Sequence, residues 1–250
     1  MKEDRIKGLI LAAGRGSRMD YLTSENPKCF TELGGKRLID WQLESFQKAS
    51  INDIAIVTGY LKKQFDVYDL IKFNNENWQK TNMVSSLMRA ASFIDSDTIV
   101  SYSDIIFHKD AVTNIINCKG DIVLGYDKNW LNQWQLRFEN PKEDAESFEI
   151  SEENILIDIG NRINSTDKVM GQYTGLFKLT PTGMEKIEET LCKFQEKKDS
   201  LDMTALFQLM IKEGFSIFAT EIKTDWFEID TPADLKIAER LYNSNQLKIS

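Results

Sequence analysis

The feature that most constrains this chain is the alternation of strand-like and helix-like patterns between residues 6 and 126. Residues 6–11 form an apolar run broken only by Lys7, and the run ends in a glycine-rich turn. A helical pattern over 38–49 follows the turn at Gly34-Gly35, and 54–58 reads as a buried strand ended by Gly59. Val84, Leu87, Met88 and Ala91 recur at helical spacing and form one face. Residues 98–102 then read as a strand, 109–117 as a helix and 121–126 as a strand. Such a βαβα order predicts an α/β fold: a Rossmann-like three-layer αβα sandwich, with a mostly parallel mixed sheet covered by helices on both faces.

The pattern changes after Tyr126. Residues 134–138, 148–150 and 155–159 look like short strands between Asn-Pro and Glu-rich turns. They predict a small antiparallel hairpin or lid over about 127–172, inside a single domain spanning 1–250. Residues 173–179 read as another strand, leading to a helix with Pro181 in its first turn. Met203, Leu206, Phe207 and Met210 form a helix face with Gly214 as its C-cap. Strands over 215–222 and 226–229 follow. A last helix opens at Thr231-Pro232-Ala233-Asp234, with a cap threonine, a proline at the first helical position and an acid in the first turn.

Composition removes several classes of function. Hydrophobic residues make up 42% of the 250, which is globular, and no apolar run approaches the ~20 residues needed to cross a bilayer. A net charge of −8 argues against general binding to nucleic acid or an acidic membrane. Cys29, Cys118 and Cys192 are scattered, and His108 is the single histidine. That set suits neither a structural zinc nor a disulfide framework, and the cysteines read as buried small apolar residues. No targeting signal is visible, so the expected location is cytoplasmic.

The chemistry begins where the first strand runs into Leu11, Ala12, Ala13, Gly14, Arg15, Gly16, Ser17 and Arg18. Backbone N–H groups of a glycine-rich turn after a parallel strand suit a phosphate, and the two arginines add charge. Met19 stands where a dinucleotide fingerprint has its third glycine, and Gly-Lys-Ser/Thr is absent, so neither Rossmann fingerprint nor P-loop is present. Pro27-Lys28 follows about ten residues later and places a lysine over the same pocket.

Together, Leu11-Ala-Ala-Gly-x-Gly-x-Arg-Met and Pro27-Lys28 resemble the signature of nucleotidyltransferases that activate sugar phosphates and related phosphates. The resemblance implies Mg²⁺ held by Asp104, at the end of the 98–102 strand, and by Asp230, just before the last helix. It also implies base or ribose contacts from Asn82, Ser85 and Ser86. Within the family the chain is most similar to the bacterial small-molecule cytidylyltransferases, those using phosphocholine and those using phosphoglutamine in capsular phosphoramidate synthesis. The stretches that carry this are Val57-x-Gly59-Tyr60-Leu61-Lys62, Asn82-x-x-Ser85-Ser86-Leu87, Asn132-x-Trp134 and Glu228-Ile229-Asp230. Two departures stand out. Met83-Val84-Ser85 replaces a Gly-Thr-Ala motif, and Ser103 stands where the family often has a second acid, which throws more weight on Asp230 and Glu228.

The implied reaction is Mg²⁺-dependent transfer of CMP from CTP to a small phosphorylated acceptor, releasing pyrophosphate, in surface-polysaccharide modification. Lys28 and Arg18 would act at the phosphates. The second half of the chain is expected to hold the acceptor through Trp134, Arg137, Gln172, Tyr173 and Glu228. Trp130, Trp134 and Tyr173 could form an aromatic box for phosphocholine, whereas Lys128, Arg137, Arg162 and Gln172 suit an amino-acid acceptor and favour phosphoglutamine. Alternatives are a sugar-1-phosphate nucleotidyltransferase or a catalytically silent nucleotide-binding subunit. No nucleic-acid or membrane partner is expected. Oligomeric state stays open, a homodimer being one option.

Overall fold

The computed structural model describes residues 5–249. In the first half β1 (Lys7–Ala12) leads through a small hairpin, β2 (Glu32–Leu33) and β3 (Lys36–Arg37), to α1 (Leu38–Lys48). Then follow β4 (Asp53–Thr58), β5 (Ile71–Asn74), α2 (Met83–Arg89), β6 (Thr98–Tyr102), β7 (Ile105–Phe107), α3 (Lys109–Asn117) and β8 (Ile122–Asp127). The second half holds α4 (Trp130–Arg137), β9 (Glu146–Ile150), β10 (Leu156–Arg162), β11 (Gln172–Leu179), α5 (Pro181–Lys193), α6 (Met203–Lys212), β12 (Phe218–Glu221), β13 (Trp226–Glu228) and α7 (Pro232–Asn243).

Seven strands form the central sheet in the order β12-β8-β11-β6-β1-β4-β5. Only β11 runs against its neighbours β6 and β8; the other pairings are parallel. β1 lies in the middle with Gly8 to Ala12 buried, because successive residues feed opposite faces. Leu9 and Leu11 join the cluster packed under α2, α5 and α6, while Ile10 and Ala12 join the one under α1 and α3. Those two apolar clusters make the three layers that the βαβα order predicts.

A third cluster positions the site. Met19, Leu33, Leu38, Trp41, Ile106, Phe227 and Ile229 pack together with Ala238 of α7. They pin the antiparallel pair β7–β13, which joins Ile105 to Glu228, against α1. α7 begins as its sequence predicts, with Thr231 and Asp234 forming a reciprocal capping box.

The segment after Tyr126 differs from the sequence reading in one respect. Residues 134–137 are not a strand; they belong to α4, and Phe138 follows as its extended C-cap. Trp130, Gln133 and Trp134 are buried, and with Arg137 they follow helical spacing, a period that a five-residue apolar window cannot reveal. The hairpin is real, formed by β9 and β10, and it is packed rather than loose. Phe148, Leu156 and Ile159 enter the core, and Gln208 of α6 donates to the Ile159 carbonyl. Of the cysteines only Cys29 is buried; Cys192 is exposed. No helix among the described residues is long and apolar enough to cross a membrane.

Candidate active site

The parallel strands β1, β4 and β6 end on one edge, and the polar residues collect there. Leu11 and Ala12 are the buried end of β1, Ala13 just after it is buried too, and the chain then becomes exposed at Gly14, Arg15, Ser17 and Arg18. The Tyr60 amide donates to the Ala13 carbonyl at 2.9 Å, tying the loop to the end of β4. Gly16 takes a left-handed conformation, φ +67°, and its bare Cα lies against Lys28. A Cβ there would sit 2.5 Å from Cδ and 2.8 Å from Cβ of that lysine. This glycine therefore makes room for the Lys28 stem. Gly16→Ala is expected to push the lysine aside and lower kcat on the order of tenfold to a hundredfold, the cost of a small misplacement at a reacting centre. Steady-state kinetics on a variant with an unchanged circular-dichroism spectrum checks it.

Lys28 is 6% exposed and enters from the turn after Pro27. Its Nζ donates to Asp104 Oδ2 at 2.6 Å and to Asp230 Oδ1. Burial works to lower its pKa, but the two carboxylates override that and shift it upward, so it stays an ammonium at neutral pH. Arg18 reaches the other oxygen of Asp230 at 3.0 Å. Burial opposes ionisation of Asp230, yet the charges of Lys28, Arg18 and Arg137 leave its pKa below the ordinary value. Glu228 completes the group, its carboxyl pushed up to about 7 by burial and by the charge of Asp230.

Asp104, Glu228 and Asp230 offer carboxylate oxygens within 4.8 Å of one another. Asp104 Oδ1 is buried and has no hydrogen-bond partner among the described residues. Hard carboxylate oxygens of this kind, one of them left without a donor, fit a hard divalent cation.

The other expected contacts divide. Ser85 and Ser86 are buried at the start of α2; Ser85 donates to Asp199 at 2.8 Å, and Ser86 accepts from Asn75 at 3.0 Å. Asn82 caps α2 by accepting from the Met83 amide. Trp134 is 4% exposed and donates to Asp144 at 3.0 Å, with Trp130 and Trp226 around it. Tyr173 lies in another cluster, edge-on to Tyr102 and Phe207. The structure therefore does not bring Trp130, Trp134 and Tyr173 into one aromatic box. Gln172 is buried and holds the Glu146 backbone. Arg137 has a side chain 0% exposed, paired with Glu228 and Asp234 and 3.8 Å from Asp230, so it faces the acid cluster instead of an open acceptor pocket. Lys128 and Arg162 remain at the surface.

Residues 8–133 match the MobA-like NTP transferase domain family, and the chain belongs to that family. It is accordingly an enzyme of the nucleotidyltransferase class. It is 34% identical to the CTP:phosphoglutamine cytidylyltransferase of Campylobacter jejuni subsp. jejuni serotype O:2, over 93% of this chain and 98% of that protein. It is 25% identical to the choline-phosphate cytidylyltransferase of Streptococcus pneumoniae, over 96% and 100% of the two chains. Its fold is similar to that of the inositol-1-phosphate CTP transferase of T. maritima, with a TM-score of 0.75 at 23% identity, over 95% of both chains.

Proposed function

We propose that this enzyme transfers CMP from CTP to a small phosphorylated acceptor, with phosphoglutamine the favoured acceptor and phosphocholine next, in the modification of surface polysaccharide. The observation that carries the reading is the Lys28 ammonium bonded to both Asp104 and Asp230 beside the glycine-rich loop. The presence of Lys28, Asp104 and Asp230 together disfavours a catalytically silent subunit, which would tolerate the loss of any of them.

An oxygen of the acceptor's phosphate attacks the α-phosphorus of CTP in line. One O–P bond forms, the bond to the β-phosphate oxygen breaks, and pyrophosphate leaves with that electron pair. No general base is required, since a phosphate monoester has its second pKa near ~6 and is already mostly dianionic. Catalysis is then positioning and charge stabilisation. Backbone N–H groups of Gly14 to Ser17 bind the β- and γ-phosphates, and Arg15 and Arg18 add charge at the rim. Lys28, held by its stem against Gly16, presents a permanent cation to the α-phosphate. Asp104, Asp230 and Glu228 would hold Mg²⁺, which supplies further positive charge to that phosphate. Asn82, Ser85 and Ser86 would contact the base or the ribose.

Similarity to the phosphoglutamine enzyme supports the acceptor choice, and so does the separation of Trp130 and Trp134 from Tyr173, which removes that trio as a box for a quaternary ammonium. Pyrophosphate release should be fastest with CTP among the four nucleotides. With CTP it should be faster for phosphoglutamine than for phosphocholine, 2-aminoethylphosphonate or glucose 1-phosphate. A preference for phosphocholine would reverse the order of acceptors; a preference for glucose 1-phosphate would move the chain to the sugar-nucleotide enzymes.

A further inference from the structure

Asp234 is 3% exposed, an unusual place for a carboxylate in the first turn of a helix. One of its oxygens does the capping work: Oδ2 accepts from the Asp230 amide at 3.1 Å, the Thr231 amide at 2.9 Å and the Thr231 hydroxyl at 2.9 Å. The other oxygen takes no part in the cap. Oδ1 accepts from Arg137 Nε at 2.9 Å.

Arg137 comes from α4, far away in sequence, and carries this contact onward. Its Nη1 donates to Glu228 Oε2 at 2.7 Å. Its Nη2 is 3.8 Å from Asp230 Oδ2 and has no hydrogen-bond partner among the described residues. A planar guanidinium with one edge fixed by Asp234 has little rotational freedom, so the directions of its remaining N–H groups are set as well. Gln133, one helical turn earlier, binds the same strand twice: it accepts from the Glu228 amide at 3.2 Å and donates to the Trp226 carbonyl at 3.3 Å. Helix α4 is thus docked on β13 by backbone contacts, and Arg137 is aimed from a fixed base.

We propose that Asp234 is a positioning residue for the divalent-cation site. It fixes the Asp230 backbone with one oxygen and Arg137 with the other, and through Arg137 it orients the carboxylates of Glu228 and Asp230 toward Asp104. The inference rests on reading the three acids as cation ligands. Residues that orient ligands typically carry ~10–100-fold of metal affinity. Losing the Asp234 charge also releases Arg137 to pair more fully with the ligating acids, which acts in the same direction.

The test is Mn²⁺ binding, followed by electron paramagnetic resonance, without nucleotide and with saturating CTP. Asp234→Asn keeps the size and one capping oxygen but cannot hold Arg137 as a carboxylate does. It should weaken Mn²⁺ binding ~10–100-fold and lower kcat, with KM for CTP nearly unchanged. Arg137→Lys keeps the charge, loses the fork, and should act in the same direction; it also serves if the asparagine variant fails to fold. Thr231→Ala is the control: it removes the cap hydroxyl, one of three donors to Asp234 Oδ2, and leaves the two amide donors and the Arg137 contact on Oδ1 in place. It should lower the melting temperature and leave Mn²⁺ affinity at the wild-type value. If Asp234→Asn and Arg137→Lys lose melting temperature but bind Mn²⁺ as the wild type does, Asp234 is a helix cap and the proposal is overturned. If the wild type itself binds no Mn²⁺ in either condition, the cation site falls too, a different result from the first.

Discussion

Alanine at Asp104 or at Asp230 is expected to cut turnover ~10²–10³-fold in a protein that keeps its sheet, the range seen when one charge-stabilising element is removed from an active site. Both carboxylates bond the Lys28 ammonium, and both belong to the one three-acid group found among the described residues. The two variants should differ in stability. Among the described residues Asp104 forms an ion pair with Lys28 alone, whereas Asp230 is 4% exposed and faces Lys28, Arg18 and Arg137. Breaking a buried pair from one side costs about 3–5 kcal/mol, so Asp230→Ala should melt well below Asp104→Ala. Pyrophosphate release and thermal melts on the same preparations read both effects. Near-normal turnover in Asp104→Ala would remove the acid cluster from the mechanism.

Lys28→Ala is expected to reduce kcat about a hundredfold with a much smaller rise in KM for CTP. In the proposed reaction Lys28 faces the α-phosphate, where a cation gains most as negative charge builds up in the transition state. Its position is over-determined by Gly16 behind the stem and two carboxylates at the tip. An unchanged kcat with a raised KM would show that Lys28 only binds nucleotide. The variant also leaves Asp230 short of a partner, so it should melt below the wild type, and added Mg²⁺ should restore part of the loss.

Much of this was legible in the sequence, for local reasons. β1, β4, β6 and α3 are short, strongly patterned segments, and the Thr231-Pro232 start of α7 is a chemical signal that needs no tertiary context. Lys28, Asp104 and Asp230 are singled out by the resemblance to the nucleotidyltransferase signature, and the strand and turn pattern alone leaves each of them an ordinary turn or helix-flanking residue. α4 was not legible as a helix: its buried stripe of two tryptophans, a glutamine and an arginine mixes residues that fit several patterns. Burial decides the rest. Trp134 and Arg137 read as acceptor contacts as long as they are assumed to face solvent, and packing turns both inward. The second task of Asp234 had no signal, because nothing in a cap motif tells which of its oxygens an arginine about a hundred residues away will reach.

The distance along the chain between Lys28 and Asp230, 202 residues, bears on how the protein is made. At the usual ~5–20 residues per second of synthesis, the acid leaves the ribosome roughly 10–40 s after the lysine. By then β1, β4 and β6 have long been available to pair with one another. The strand that carries Glu228 has nothing to offer until it finds β7, over a hundred residues upstream. Closing so long a loop is entropically slow compared with local pairing. A nascent or truncated chain can therefore own most of the sheet and still lack a catalytic centre. The site needs residues from both ends of the chain, so it is complete only once β13 has paired with β7.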